Sequence, residues 1–244
     1  MIRIFPDEAE LAEEIAKEML SNLTQEEEPV FCLASGSTPQ KSYRKFAESF
    51  SNGTSVSKLR IVSLDEWTGI ERNSEGSCYQ MLDRDLFSLI GLKGSQIEFF
   101  DGTSSSLEAE CQKIDDFILQ HPITFSLMGV GMNGHIGLNE PGCQALNYST
   151  VVPLSETTKT VAQKYFNSPV ELDSGLTMGL EQITRSKRVI VAITGERKAE
   201  IAKEIFTNPE AGLPAQQLLG LNHVDFFLDR AAARYIEIYA DKKD

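Results

Sequence analysis

Met128-Gly129-Val130-Gly131-Met132-Asn133-Gly134-His135-Ile136-Gly137-Leu138-Asn139-Glu140-Pro141-Gly142 is the stretch on which the reading of this chain turns. The apolar run leading into it, Ile123 to Met128, has the length and composition of a buried strand. Closely spaced glycines then let the backbone wrap a ligand at short range. Within that loop stand Asn133, His135 and, five residues after the histidine, Glu140. An imidazole moves protons near neutral pH, and a carboxylate can orient it and stabilise its charge. In open α/β sheets ligands bind at the carboxyl ends of strands, where such a loop would lie. The plainer alternative is a glycine-rich surface turn that carries a histidine.

Outward from this loop, strands and helices alternate. Met1 to Phe5 reads as a short strand, and Pro6-Asp7 opens a helix to about Leu23, with Leu11, Ile15 and Met19 at four-residue spacing. Val30 to Ala34, Leu59 to Leu64 and Ile97 to Phe100 read as strands on the amino-terminal side. Ser149 to Leu154, Arg188 to Thr194, Val224 to Leu228 and, near an edge, Tyr235 to Tyr239 read as strands on the carboxyl-terminal side. Helices are expected after Pro39 to about Phe50, over Ser77 to Ile90, after Thr103-Ser106 to about Leu119, from Glu156 to Phe166, after Gly195 to about Phe206, and over Pro214 to Leu219. The pattern predicts one α/β domain over residues 1–244. Its sheet is doubly wound, mostly parallel and Rossmann-like, with helices on both faces.

Three further segments follow strands and carry chemistry. Ser35-Gly36-Ser37-Thr38 joins a strand to a helix, so backbone N–H groups, the helix dipole and hydroxyls converge as they do on an anion. It lacks the Gly-Lys-Ser/Thr ending of a Walker loop, and a capped tight turn is the competing reading. Asp65 ends its strand beside Trp67, and an indole that excludes water would raise the carboxyl pKa toward that of a base. A turn-capping Asp is the alternative. Arg197 and Lys198 stand in the first turn of a helix, where cations are unfavourable unless an anion joins them. In a parallel sheet these pieces gather on one edge. Together they form a phosphate cradle, a base and a His/Glu proton shuttle, the equipment for proton transfer on a small phosphorylated metabolite.

Composition narrows the class. The 244 residues carry a formal net charge of −13, a field that opposes binding to nucleic acid or an anionic membrane. No segment approaches the roughly 20 apolar residues of a bilayer span, and the amino terminus reads as a strand and not a signal peptide. Cys32, Cys78, Cys111 and Cys143 form no CxxC pair, as expected of free thiols in a cytoplasmic protein without a zinc site. Gly69 to Gly76 is polar and glycine-bounded, a candidate lid.

The motifs Leu33-Ala34-Ser35-Gly36-Ser37-Thr38-Pro39, Leu64-Asp65-Glu66-Trp67 and Gly131 to Gly142 together resemble the glucosamine-6-phosphate deaminase/isomerase family, to which 6-phosphogluconolactonases are related. The resemblance covers nearly the whole chain. It implies that His135 assists opening of the pyranose ring, with Glu140 and the residue at Asn133 supporting it. It implies that Asp65 carries a proton from C2 to C1 through an enolamine, so that a ketose 6-phosphate and ammonia result. Ser35 to Thr38, Lys164 and Lys198 match the positions that hold the phosphate. No cofactor or metal is implied, the partner is a phosphorylated amino sugar, and a homo-oligomer stays open. Lys164 stands where the family often has Arg, which keeps the charge and loses the bidentate fork.

Asn133 stands where the family usually has Asp. With Asp65-Glu66-Trp67, the Ser77-Cys78 region and Gly137-Leu138-Asn139-Glu140-Pro141-Gly142 it looks closer to the galactosamine-6-phosphate isomerase branch, so galactosamine 6-phosphate is expected over glucosamine 6-phosphate. Asn147 to Val152 lacks the basic residues of allosterically activated relatives, so no such activation is expected. The competing functions are a 6-phosphogluconolactonase, with His135 as base for water attack, and a sugar-phosphate-sensing domain without enzymatic activity.

Overall fold

The computed structural model describes residues 1–52, 55–143 and 146–236. Seven strands are β1 (Ile2–Phe5), β2 (Val30–Leu33), β3 (Arg60–Ser63), β4 (Asp65–Trp67), β5 (Ile97–Glu98), β6 (Phe125–Gly129) and β7 (Thr150–Pro153). Three more follow: β8 (Ser174–Thr177), β9 (Arg188–Ile193) and β10 (Val224–Asp229). The helices are α1 (Glu8–Gln25), α2 (Ser37–Glu48), α3 (Cys78–Leu82), α4 (Ser88–Ile90), α5 (Leu107–Gln120), α6 (Glu156–Ala162), α7 (Leu180–Thr184), α8 (Ala199–Thr207) and α9 (Arg230–Ala233).

The main sheet has the order β1-β10-β9-β6-β2-β3-β5, and every pairing in it is parallel. All four residues of β2 are buried, as expected of a strand covered on both faces. Strand alternation splits the core accordingly. Val30, Cys32, Val62, Met128, Val191 and Phe226 join one cluster, which includes Ile114 of α5 and Ile205 of α8. Phe31, Leu33, Ile61, Leu127, Ile190 and Phe227 join the other, against Leu11, Ile15 and Met19 of α1 and Phe46 of α2. Helices thus lie on both faces, and the doubly wound expectation holds. From β2 the chain winds outward through β3 and β5, and from β6 through β9 and β10. The neighbours β2 and β6 therefore flank the switch point, and the loops leaving them bound a crevice.

Four expectations need correction. The sheet is not the only one: β4, β8 and β7 form a second, antiparallel sheet in that order. Asp65 does not end the strand before it; it opens β4 and pairs in register with Thr177 of β8. Ser77 to Ile90 is not one α-helix, because a π turn over Asp83–Phe87 separates α3 from α4. At the carboxyl-terminal end, Tyr235 and Ile236 lie in a turn, and the rest of the strand expected there falls outside the described residues.

Candidate functional site

The crevice is a cleft of about 140 Å³ at the carboxyl ends of β2 and β6. Ser35, Ser37, Asp65, His135, Lys164 and Lys198 all line it, with Trp67, Cys78, Thr158 and Tyr165 among the other walls. Asn133 and Glu140 stand behind His135 and do not line it. Thr38 is one residue further into α2 than Ser37 and is not on the wall either.

The loop after β6 holds its histidine against the backbone. A Cβ on Gly131 would lie 2.3 Å from the His135 ring, so this position has room only for glycine. The Gly131 N–H donates to the His135 carbonyl at 2.9 Å, closing the turn. On the ring, Nδ1 lies 3.3 Å from the Thr158 hydroxyl and 3.6 Å from Glu140 Oε2. Nε2 has no protein partner among the described residues.

Glu140 is buried and crowded with donors. Asn133 Nδ2 donates to its Oε2 at 2.6 Å, and the hydroxyls of Ser155 and Thr158 donate to Oε1. Burial by itself would raise this pKa. The His135 ring, Thr158 and Asn133 outweigh it and hold the carboxyl down to about 2. Sequence reading missed Ser155 and Thr158. Ser155 also caps α6 by accepting from Thr158 N, so its local signal was that of a helix start and nothing more.

Asp65 faces the cleft from the other side with fewer helpers. Lost water pushes its pKa up to about 6, against the pull of His135 and the Cys78 thiol. The wall behind it is Cys78, whose thiol burial and neighbouring carboxylates keep protonated.

The third side is cationic. Gly36, at φ 102°, is the N-cap of α2 and supplies no side-chain bond, so the first-turn amides of that helix are left for a ligand. The Tyr165 hydroxyl occupies the space a Cβ would need there, 2.7 Å from that position. Lys164 lies on a short 3-10 turn, Gln163–Tyr165, beyond α6 and not within the expected helix. Lys198 ends another, Glu196–Lys198, and its ammonium donates to the Val130 carbonyl. Burial, with Lys164 nearby adding repulsion, lowers the Lys198 pKa to about 8. Two lysines that repel each other beside unpaired helix amides form a site that an anion would relieve.

Among the described residues no group of three or more His, Cys, Asp or Glu is placed to hold a metal ion. No described helix is long and apolar enough to cross a membrane. A larger hollow of about 750 Å³ lies between α5 and β7; Cys111 and Tyr148 to Val151 line it, and none of the candidate catalytic or phosphate-holding residues does.

Similarity to known proteins follows the same outline. A family model described as glucosamine-6-phosphate isomerases/6-phosphogluconolactonase matches residues 6–225. The chain is 32% identical over 234 residues to the glucosamine-6-phosphate deaminase of Clostridium acetobutylicum, covering 94% of this chain and 97% of that one. It is 33% identical over 227 residues to the corresponding deaminase of Clostridium botulinum, with 91% of each chain covered. Among solved structures, a monomeric glucosamine-6-phosphate deaminase superposes with a TM-score of 0.90 at 30% identity, covering 96% of this chain and 98% of that one. The 6-phosphogluconolactonase of Thermotoga maritima shares the fold, with a TM-score of 0.73 at 20% identity over 94% and 98% of the two chains.

Proposed function

Because the chain belongs to the glucosamine-6-phosphate isomerase/6-phosphogluconolactonase family, we propose that it converts glucosamine 6-phosphate to fructose 6-phosphate and ammonia. The observation that carries this reading is the grouping in one cleft of a base, Asp65, a carboxylate-backed imidazole, His135, and a two-lysine anion cradle. The 6-phosphate lies on Ser35, Gly36 and Ser37 with Lys164 and Lys198. His135, its Nδ1 turned to Glu140 and Thr158, uses Nε2 to move the proton that opens the ring. Asp65 takes the C2 proton, the enolamine forms, and the same carboxyl delivers a proton to C1. Water replaces nitrogen at C2 and ammonia leaves. A pKa of about 6 leaves Asp65 ionised at neutral pH while keeping it basic enough to accept the proton.

Relatives named for glucosamine 6-phosphate favour that sugar. Asn133, on which the expectation of galactosamine 6-phosphate partly rested, bonds Glu140 and lines no part of the cleft, so it offers no contact with sugar C4. The lactonase alternative leaves Asp65 without a role, and relatives with that name are similar at the level of fold. The deciding experiment is ammonia release from glucosamine 6-phosphate and galactosamine 6-phosphate side by side, with 6-phosphogluconolactone as a third substrate. Ammonia with equimolar fructose 6-phosphate is the expected result. Faster turnover of galactosamine 6-phosphate would reassign the sugar, and lactone hydrolysis without ammonia would reassign the reaction.

A further inference from the structure

Glu66 is a carboxylate that the proposed chemistry does not use. It follows Asp65 directly and is 1% exposed. Its side chain accepts three backbone N–H bonds: Oε1 from Trp67 at 2.9 Å and from Cys78 at 2.9 Å, Oε2 from Tyr79 at 3.1 Å. Trp67 ends β4 and Cys78 begins α3, so one carboxylate joins the two ends of the intervening loop, Thr68 to Ser77. A second tie crosses the same neck, from the Trp67 indole N–H to the Gly76 carbonyl at 3.1 Å. Beyond the neck the loop is exposed at Gly69, Glu71 and Asn73 to Glu75. Trp67 and Cys78 are both walls of the cleft beside Asp65.

The geometry points to Glu66 as a positioning residue, the latch that closes the neck of the Thr68–Ser77 loop and so holds Trp67 and Cys78 against Asp65. A carboxylate suits this task because both oxygens accept, while an amide has one accepting oxygen and would turn its NH2 on an N–H. Burial raises the Glu66 pKa to about 7, despite its three donors and with Asp65 adding repulsion. The titratable groups facing it are Asp65 on its own strand and Cys78 on α3. Across the antiparallel sheet its register partner is Leu176, which brings no charge. The latch therefore loosens as Glu66 takes up a proton, and the loop tip moves on a neck that is fixed above about pH 7 and released as pH falls through that value.

The catalytic consequence rests on Asp65 being the base, but the latch itself is read without any substrate. Trp67 is the one tryptophan of the sequence, so its emission reports the neck. In the unliganded wild-type chain the emission should titrate near pH 7. The transition should persist in Asp65→Asn, moved to lower pH by loss of the Asp65 repulsion, and vanish in Glu66→Gln. Tryptic cleavage after Arg72 in the loop should be about tenfold faster in Glu66→Gln. With substrate, Glu66→Gln should lower kcat about tenfold and leave KM within about threefold, as for a displaced catalytic group. Asp85→Asn serves as a stability control. It breaks the ion pairs of buried Asp85 with the half-exposed Arg44 and Arg84, none of which lines the cleft, and it should lower Tm without lowering kcat at temperatures well below it. An emission transition unchanged in Glu66→Gln, or a kcat no lower than that of Asp85→Asn, overturns the latch. If the wild type turns over no amino-sugar phosphate, the proposed function fails, and the emission and proteolysis results still decide the latch.

Discussion

Two carboxylates flank His135, and the protein moves them in opposite directions. Glu140, behind the ring, is the more deeply buried by residue exposure, yet it is held down to about 2; Asp65, partly open to the cleft, rises to about 6. Burial alone would raise both. The difference is the supply of donors: Glu140 receives Asn133, Ser155 and Thr158 besides the ring, whereas Asp65 has the ring's charge and a thiol. One group is therefore locked as a permanent anion, and the other is left able to exchange a proton near neutrality. The balance of lost water against hydrogen-bond donors sorts the two roles, with dehydration prevailing at Asp65 and donors at Glu140.

The strongest test of that contrast is Asp65→Asn, which should lower kcat about 10³-fold while leaving substrate binding within about threefold, because proton transfer by a placed base contributes on that scale. Initial rates and equilibrium binding together decide it; a parallel loss of binding would make Asp65 a binding group. In the wild type, kcat/KM should fall about tenfold per pH unit below about 6, since the base form is the one required. Lys198 extends the comparison to a cation. Burial lowers its pKa to about 8, so it is charged below that value and loses charge above it. KM for a phosphorylated sugar should then climb with pH beyond about 8, a trend that Lys198→Ala abolishes by raising KM at every pH. Thr158→Val removes a donor from Glu140 and should lower kcat about tenfold, with Glu140 titrating at a higher pH; an unchanged profile would show that the remaining donors suffice. The smallest effect is expected for Asn133→Asp. It sets a second carboxylate where an amide now donates at 2.6 Å. Two carboxylates at that distance share one proton, so the pH–rate profile should gain an ionisation that the wild type lacks, with a change of only about threefold in rate at neutral pH.

Much of this arrangement was legible in the chain because it is local. A run such as Val30 to Leu33, followed by small residues, announces a buried strand and a tight turn, and the same logic found the loop carrying His135. Their meeting at a switch point then followed from the alternation of strands and helices. The second sheet was illegible for the opposite reason. β4 is three residues long and reads Asp-Glu-Trp, and its partner β8 is more than a hundred residues away, so neither period nor propensity signals the pairing. Thr158 and Ser155 were hidden because their local role as a helix start accounts for them fully. Glu66 was hidden beside a more conspicuous neighbour, since no spacing rule connects a side chain with amides twelve and thirteen residues further on.

The winding of the sheet also sets when a growing chain can first act. β2 comes early and lies beside β6 from the middle of the chain, and the strand that seats Lys198, β9, emerges later still. A ribosome that has released Asp65 and His135 but not residues 188–198 exposes half an anion site and an unpaired flank of β6. Recovery of turnover after dilution from denaturant is thus a late reporter, registering the docking of both halves and staying silent about either half alone.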